Sequence, residues 1–340
     1  MIYRSRAPLR LGLAGGGTDV SPYADLYGGA ILNATLSMYA YASIRPMADG
    51  NIRLRAEDRE AHIDYPSTKA LAIDGNLDLL KGVYNRLVEE YNLEPLSFEL
   101  TTHVDAPPGS GLGSSSTLVV AIIGAFIEWL KLPLGEYDIA RLAYQIERVD
   151  LKFEGGKQDQ YAATFGGFNY MEFSANNKVI VNPLRIKDKW RYELENNVVL
   201  YFTETSRLSS EIIHAQSENV KSKNEKSIDA MHNLKEQSVM MKEALLRGEL
   251  NRVGEILHYG WEFKKQMAKG ISNPMIDGIY DAVMKVGATG GKISGAGGGG
   301  FMFFYAPDNA RHQVVKTLQS FGGRTMKYNF TTEGLVTWSI

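Results

Sequence analysis

The sequence predicts an α+β fold in two units, and three observations carry that prediction. Runs of strand are followed by runs of helix, without the regular alternation that builds a parallel sheet. The 340 residues suffice for two domains of roughly 100–200 residues each. A glycine loop at 107–113 opens a stretch that is apolar on every face, which marks a helix buried inside a core.

Residues 3–13 place apolar side chains at many alternate positions, as a strand does, and run into Gly15-Gly16-Gly17. Asp19 or Ser21 is expected to cap a short helix with Pro22 in its first turn. Residues 29–47 and 51–57 read as strands, and 77–91 carries a helical period through Leu77, Leu80, Val83, Tyr84 and Leu87. A strand at 97–104 leads through the loop 105–113 into the apolar helix, about 114–131, and a second helix is expected from about 136 to 153. Strands return near 167–173, 178–183 and 197–204. Three helices follow at about 209–246, 249–267 and 274–287, then a glycine-rich loop to 300, a strand at 300–305, a helix at 308–321 and a closing strand. The division falls between residues 175 and 195, giving units 1–185 and 186–340.

Composition removes several classes of function. Apolar residues make up 44% and charged residues 22%, the balance of a globular protein with a sizeable core. A net charge of −2 leaves no basic footprint for nucleic acid or for an acidic membrane surface. With no cysteine there are no disulfides, zinc–thiolate sites or thiol nucleophiles, which fits a reducing cytoplasm. Arginines at 4, 6 and 10 interrupt any apolar leader, and the longest apolar stretch, 118–127, is far short of the roughly 20 residues that span a bilayer. The six histidines, at 62, 103, 214, 232, 258 and 312, have no metal-ligand spacing.

Three segments combine glycine with polar residues: 13–19 (LAGGGTD), 107–116 (PPGSGLGSSS) and 290–300 (GGKISGAGGGG). In the second, glycines at 109, 111 and 113 allow positive φ and close backbone approach, and Ser114, Ser115 and Ser116 stand in the first turn of the apolar helix. Unpaired N–H groups and the positive end of the helix dipole make such a turn an anion site. A tight turn with a serine cap explains the same residues without a ligand. The Walker A spacing is not met, since Val286 and Ile293 stand where its first glycine and its hydroxyl residue would be around Lys292. The third segment lies between a helix and the apolar run 301–305, which argues for backbone passing close to another loop or a ligand.

In this order the three segments resemble the motifs of the GHMP kinase family. The resemblance implies a two-domain α+β fold with the active site in the cleft between domains, ATP and Mg²⁺, and a small-molecule acceptor. No nucleic-acid or membrane partner is expected, and the chain would work as a monomer or a homodimer. Within the family, GGGTD and the segment 155–167 (GGKQDQYAATFGG) are most similar to the branch that phosphorylates D-glycero-D-manno-heptose 7-phosphate at its anomeric hydroxyl. Galactokinases carry a G-E-H-T-D-Y type motif where this chain has Gly16, Gly17 and Val20. Kinases of unphosphorylated sugars, and a non-catalytic sugar- and ATP-binding regulator, remain the alternatives.

Position by position, the resemblance implies these roles. Pro108, Gly109, Ser110, Gly111, Leu112, Gly113, Ser114, Ser115 and Ser116 form the phosphate loop. Asp159 takes or orients the acceptor proton, and Arg10 stabilises charge on the transferred group. Ser115 and Glu147 bind Mg²⁺, which needs only one or two protein oxygens. Thr18, Asp19, Gly295 and Gly297 contact the sugar. Arg207, followed by Ser209 and Ser210 at a helix start, is the residue-level candidate for gripping a substrate phosphate, with Lys157 second and Lys292 third.

Overall fold

The computed structural model describes residues 1–205 and 209–340. Its first part runs β1 (Tyr3–Ala14), α1 (Tyr23–Tyr27), β2 (Gly29–Pro46), β3 (Asn51–Ala56), β4 (Ala61–Pro66), α2 (Asp78–Glu90) and β5 (Phe98–Val104). It continues with α3 (Ser114–Leu130), α4 (Glu136–Tyr144), α5 (Gln158–Phe165), β6 (Phe168–Ser174) and β7 (Lys178–Pro183). Then come α6 (Asp188–Asn197), β8 (Val198–Phe202), α7 (Ser209–Lys221), α8 (Glu225–Arg247), α9 (Asn251–Met267) and α10 (Pro274–Met284). The chain closes with β9 (Gly290–Ile293), β10 (Phe301–Tyr305), α11 (Ala310–Gln319), β11 (Arg324–Met326) and β12 (Val336–Ser339).

Strands β1 to β7 and β12 form one sheet, with the path β12-β1-β2-β5-β3-β4 and with β6 and β7 added alongside β2. The other four strands form a second, antiparallel sheet in the order β11-β8-β10-β9. Strand β12 returns from the far end of the sequence to pair with β1, Arg4 opposite Trp338. Helix α3 packs on β1 and β2 and buries Val119, Val120, Ile122, Ile123 and Phe126 completely. Each such side chain contributes about 1.5–3 kcal/mol relative to exposure. A charge at Ile123 would therefore unfold this layer. Among the described residues no helix is long and apolar enough to cross a membrane.

One irregularity in the first sheet matters for the site. Along β1 the register with β2 moves from Pro8↔Tyr39 to Arg10↔Thr35. Pro8 cannot donate to a ladder, and a bulge of this kind re-aims the residues beside it. The Arg10 N–H accordingly bonds the Leu112 carbonyl at 3.1 Å, which ties β1 to the loop 107–113.

Several local expectations need correction. Neither Asp19 nor Ser21 caps α1, which starts at Pro22 without a side-chain cap because the Asp19 carboxylate is turned toward residues 157 and 158. The helix expected at 136–153 stops being α-helical at Tyr144 and continues as a wider π-type turn, Gln145–Asp150. The helix expected at 209–246 is two helices, α7 and α8. Lys223 adopts a left-handed φ of 55°, and Asn224 caps α8 by accepting the Ser227 N–H at 3.1 Å. Helix α5, strand β4 and helix α6 are additional, and the start of the last glycine segment is strand β9.

Candidate active site

The site is built around two glycine loops that brace each other. Gly109, Gly111 and Gly113 all have positive φ (72°, 83° and 78°), so the loop curls in a way other residues resist. A Cβ on Gly111 would lie 2.4 Å from the Ser294 carbonyl oxygen, and one on Gly300 would lie 2.4 Å from that of Ser110. Phe301 N–H donates to the Ser110 carbonyl at 2.8 Å, and the Ser294 hydroxyl donates to that of Gly111 at 2.7 Å. The last glycine segment is therefore close packing, as its position before β10 suggested. Helix α3 starts at Gly113 with no side-chain cap, so its first-turn N–H groups stand at the cleft wall lined by Ser114, Ser115 and Ser116. Together with the helix dipole, they form a seat for anions.

Facing this loop, Asp159 lies in the first turn of α5. Arg10 Nε donates to its Oδ1 at 2.6 Å, and a second guanidinium nitrogen of Arg10 donates to the Gly111 carbonyl. Arg10 is buried, while the Asp159 side chain keeps one-fifth of its surface exposed toward the cleft. The re-aimed β1 thus connects the carboxylate to the glycine loop through one planar fork.

Glu147 projects from the π-type turn and is buried. Gln160 Nε2 donates to its Oε2 at 2.5 Å and to the Ser116 hydroxyl at 3.0 Å, while Arg148 sits 3.5 Å from Oε1. Among the described residues no group of three or more His, Cys, Asp or Glu side chains is placed to hold a metal. A single buried carboxylate beside serine hydroxyls is nonetheless the hard-oxygen donor set that fits Mg²⁺, which keeps most of its shell for phosphates and water.

Asp19 also lines the cleft. Its Oδ2 accepts the Lys157 and Gln158 N–H groups at 2.8 and 3.0 Å, and burial pushes its pKa up. Gly156 must be glycine here, since a Cβ would lie 1.9 Å from that oxygen. Asp19 therefore anchors the start of α5, and with it Asp159.

The remaining expected residues divide. Gly295 lines the cleft. Gly297 instead packs on Ile271, whose Cα would lie 2.8 Å from a Cβ there. Thr18 is fully buried, and its hydroxyl is spent on the Gly15 and Ala30 backbone, so it holds the turn. Pro108 is exposed at the loop's tip, while Ser110 and Leu112 are buried behind it, so only their backbone shapes the seat. Arg207 lies outside the described residues. Lys157 is buried beside Asp25, at 3.8 Å, and over the Tyr144 ring, away from the cleft lining. Lys292 is buried and donates to the Gly12 carbonyl at 3.0 Å.

Sequence reasoning missed Gln160, Arg148 and Lys264. Lys264, on α9, lines the cleft although nearly all its surface is buried. Burial lowers its pKa to about 8, against the pull of Asp19. No local signal marks it, because beside Lys265 on a helix it reads as an ordinary solvated lysine.

An uncapped helix behind a glycine loop, opposite an arginine-held carboxylate, is the layout of a phosphoryl-transfer site that works by positioning and charge. Comparison with known families fixes the class. The family models described as GHMP kinases N terminal domain and GHMP kinases C terminal match residues 78–167 and 241–323. The chain belongs to the GHMP kinase family and is a phosphotransferase that uses a nucleotide, ATP.

Similar proteins narrow the comparison. The chain is 49% identical to a protein of Campylobacter jejuni named D-glycero-alpha-D-manno-heptose 7-phosphate kinase, over 99% of each chain. A crystal structure described as a D-glycero-D-manno-heptose 1-phosphate kinase from Bacteroides thetaiotaomicron superposes with a TM-score of 0.86, at 47% identity over 99% of both chains. A Bacteroides fragilis L-fucokinase/L-fucose-1-P guanylyltransferase is 26% identical over 90% of this chain and 35% of its own length.

Proposed function

We propose that this kinase transfers the γ-phosphate of ATP to the anomeric hydroxyl of D-glycero-D-manno-heptose 7-phosphate, yielding the 1,7-bisphosphate for nucleotide-activated heptose. The substrate is supported by the name of the relative that is 49% identical end to end. The observation that carries the chemistry is the Arg10–Asp159 pair, held at 2.6 Å beside the glycine loop.

In this reading the α3 N-terminus and the loop 107–116 hold the phosphates. Asp159 receives the proton of the anomeric hydroxyl as its oxygen bonds the γ-phosphorus. The bond from that phosphorus to the β,γ-bridging oxygen breaks, and ADP carries the electron pair away. Arg10 stabilises charge on the moving group and keeps Asp159 aimed. Asp19 has its Oδ1 left for sugar hydroxyls, which a carboxylate accepts well. Glu147 and Ser115 would hold Mg²⁺, which supplies charge neutralisation on the phosphate oxygens. The reaction belongs in the cytoplasm, where ATP and sugar phosphates are found. We place the division between units at residues 185 and 186, between the last added strand of the first sheet and the helix leading into the second.

The test is a panel of the heptose 7-phosphate, the heptose 1-phosphate, phosphate-free heptose, fucose and galactose, followed by ADP release. The 7-phosphate should be the best acceptor, and Asp159→Asn should lower its kcat by at least ~100-fold with ATP still bound. Equal use of a phosphate-free sugar would remove the assigned substrate. Tight binding of ATP and sugar with no ADP release from any of them would favour a regulator.

A further inference from the structure

Lys264 is the buried charge that phosphoryl transfer does not use. Its surface is 2% exposed, yet it lines the cleft with Asp19, Gly17 and Gly295. Among the described residues it has no hydrogen-bond or ion-pair partner. Of the carboxylates nearby, Asp19 attracts Lys264 from beyond hydrogen-bond distance, with its Oδ2 held by two backbone N–H groups, and Asp159 is bonded by Arg10. A second lysine stands close, since a Cβ on Gly16 would lie 3.7 Å from Lys292 Nζ and 3.9 Å from Lys264 Nζ. Burial lowers the pKa of both lysines, and the nearby Arg10 guanidinium adds to the effect.

Lys264 Nζ is thus a buried donor lining the cleft with no acceptor within hydrogen-bond distance among the described residues. Burying a cation without a hydrogen-bonded partner is costly, and a ligand can supply that partner. A neutral sugar hydroxyl hydrates such a group only in part, whereas a phosphate dianion satisfies it. Gly16 leaves this space open, since a side chain there would meet only the two lysine tips at van der Waals distance.

We infer that Lys264, backed by Lys292 across Gly16, is the receptor for the phosphate of the acceptor sugar, and so selects phosphorylated over free sugar. The inference rests on the acceptor proposed above being a sugar phosphate. It assigns to Lys264 the discriminating role that sequence reasoning gave first to Arg207.

The experiment compares wild type, Lys264→Met and Gly16→Asp with heptose 7-phosphate and phosphate-free heptose, at saturating ATP. Lys264→Met keeps the stem and removes the charge. Its KM for the heptose phosphate should rise about 10- to 100-fold, the loss expected for one or two charge-assisted hydrogen bonds. Its KM for phosphate-free heptose and for ATP should stay within about twofold. Gly16→Asp supplies an internal carboxylate to the same two lysines, so it should mimic the KM effect while raising the melting temperature of the free enzyme. If the wild type prefers the phosphorylated sugar and Lys264→Met, folded by its melting curve, keeps the same preference, the receptor is elsewhere and the proposed substrate stands. If the wild type itself shows no preference for the phosphate, both the receptor and the proposed substrate fall.

Discussion

Replacing Arg10 tests how far the site depends on a single fork. Arg10 bonds Asp159 Oδ1 at 2.6 Å through Nε and the Gly111 carbonyl through its other arm, with the arginine side chain 4% exposed and the aspartate 20%. Breaking a fully buried pair costs about 3–5 kcal/mol. Because water can reach part of Asp159, the stability loss in Arg10→Met should be lower, about 2 kcal/mol, as for one hydrogen bond to a charged group. The kinetic loss should be larger, since Arg10 also meets charge that develops only in the transition state, and removing such a donor lowers kcat by about 10²–10³. Arg10→Lys keeps the charge but not the planar fork, so it should recover only part of the rate. Denaturant unfolding gives the first number, and ADP release at saturating substrates gives the second. A folded Arg10→Met enzyme with kcat within about threefold of wild type would refute the reasoning.

Gly111→Ala places a methyl group 2.4 Å from the Ser294 carbonyl at a φ of +83°, so it should part the two glycine loops. Its KM for ATP should rise by about tenfold or more and its melting temperature should fall, both by the cost of strain at a left-handed position. Gln160→Leu and Glu147→Gln should each raise the Mg²⁺ concentration for half-maximal rate, by about 10–100-fold for the orienting glutamine, read from metal titrations of activity. The pH dependence of stability should carry Lys264. Its folded pKa of about 8 lies below the ordinary 10.5, so the unfolded chain binds more protons between those values and stability rises with pH there. The penalty is present in full below about pH 8, and Lys264→Met should be the more stable protein at pH 7, by up to about 3 kcal/mol. Equal unfolding curves for the two proteins at pH 7 and at pH 10 would contradict this.

What the sequence made legible was what depends on neighbours along the chain. The apolar run behind Gly113, the alternation in β1, the apolar run of β10 and the three glycine segments are local patterns, and the structure carries each of them. Asp159, Arg10, Glu147 and Ser114, Ser115 and Ser116 do meet at one cleft, although 149 residues separate Arg10 from Asp159. What stayed hidden depends on contacts across such distances. Lys264 differs from a solvated lysine only because α9 lays it against the turn at Gly16. Gln160 becomes an orienting group only because α5 brings it to Glu147 and Ser116. Thr18 and Gly297, read as sugar contacts, are used up by the backbone of Ala30 and by Ile271, partners that no spacing announces. Helix α5 escaped notice because it is eight residues long and lies between two glycine pairs.

The most direct test of the whole account is a crystal structure of the enzyme with Mg²⁺ and a non-hydrolysable ATP analogue. The β- and γ-phosphates should accept hydrogen bonds from N–H groups between Gly111 and Ser115, with the metal on Glu147 and the γ-phosphorus turned toward Asp159. Phosphates seated away from that turn, or Asp159 on the far side of the nucleotide, would contradict it.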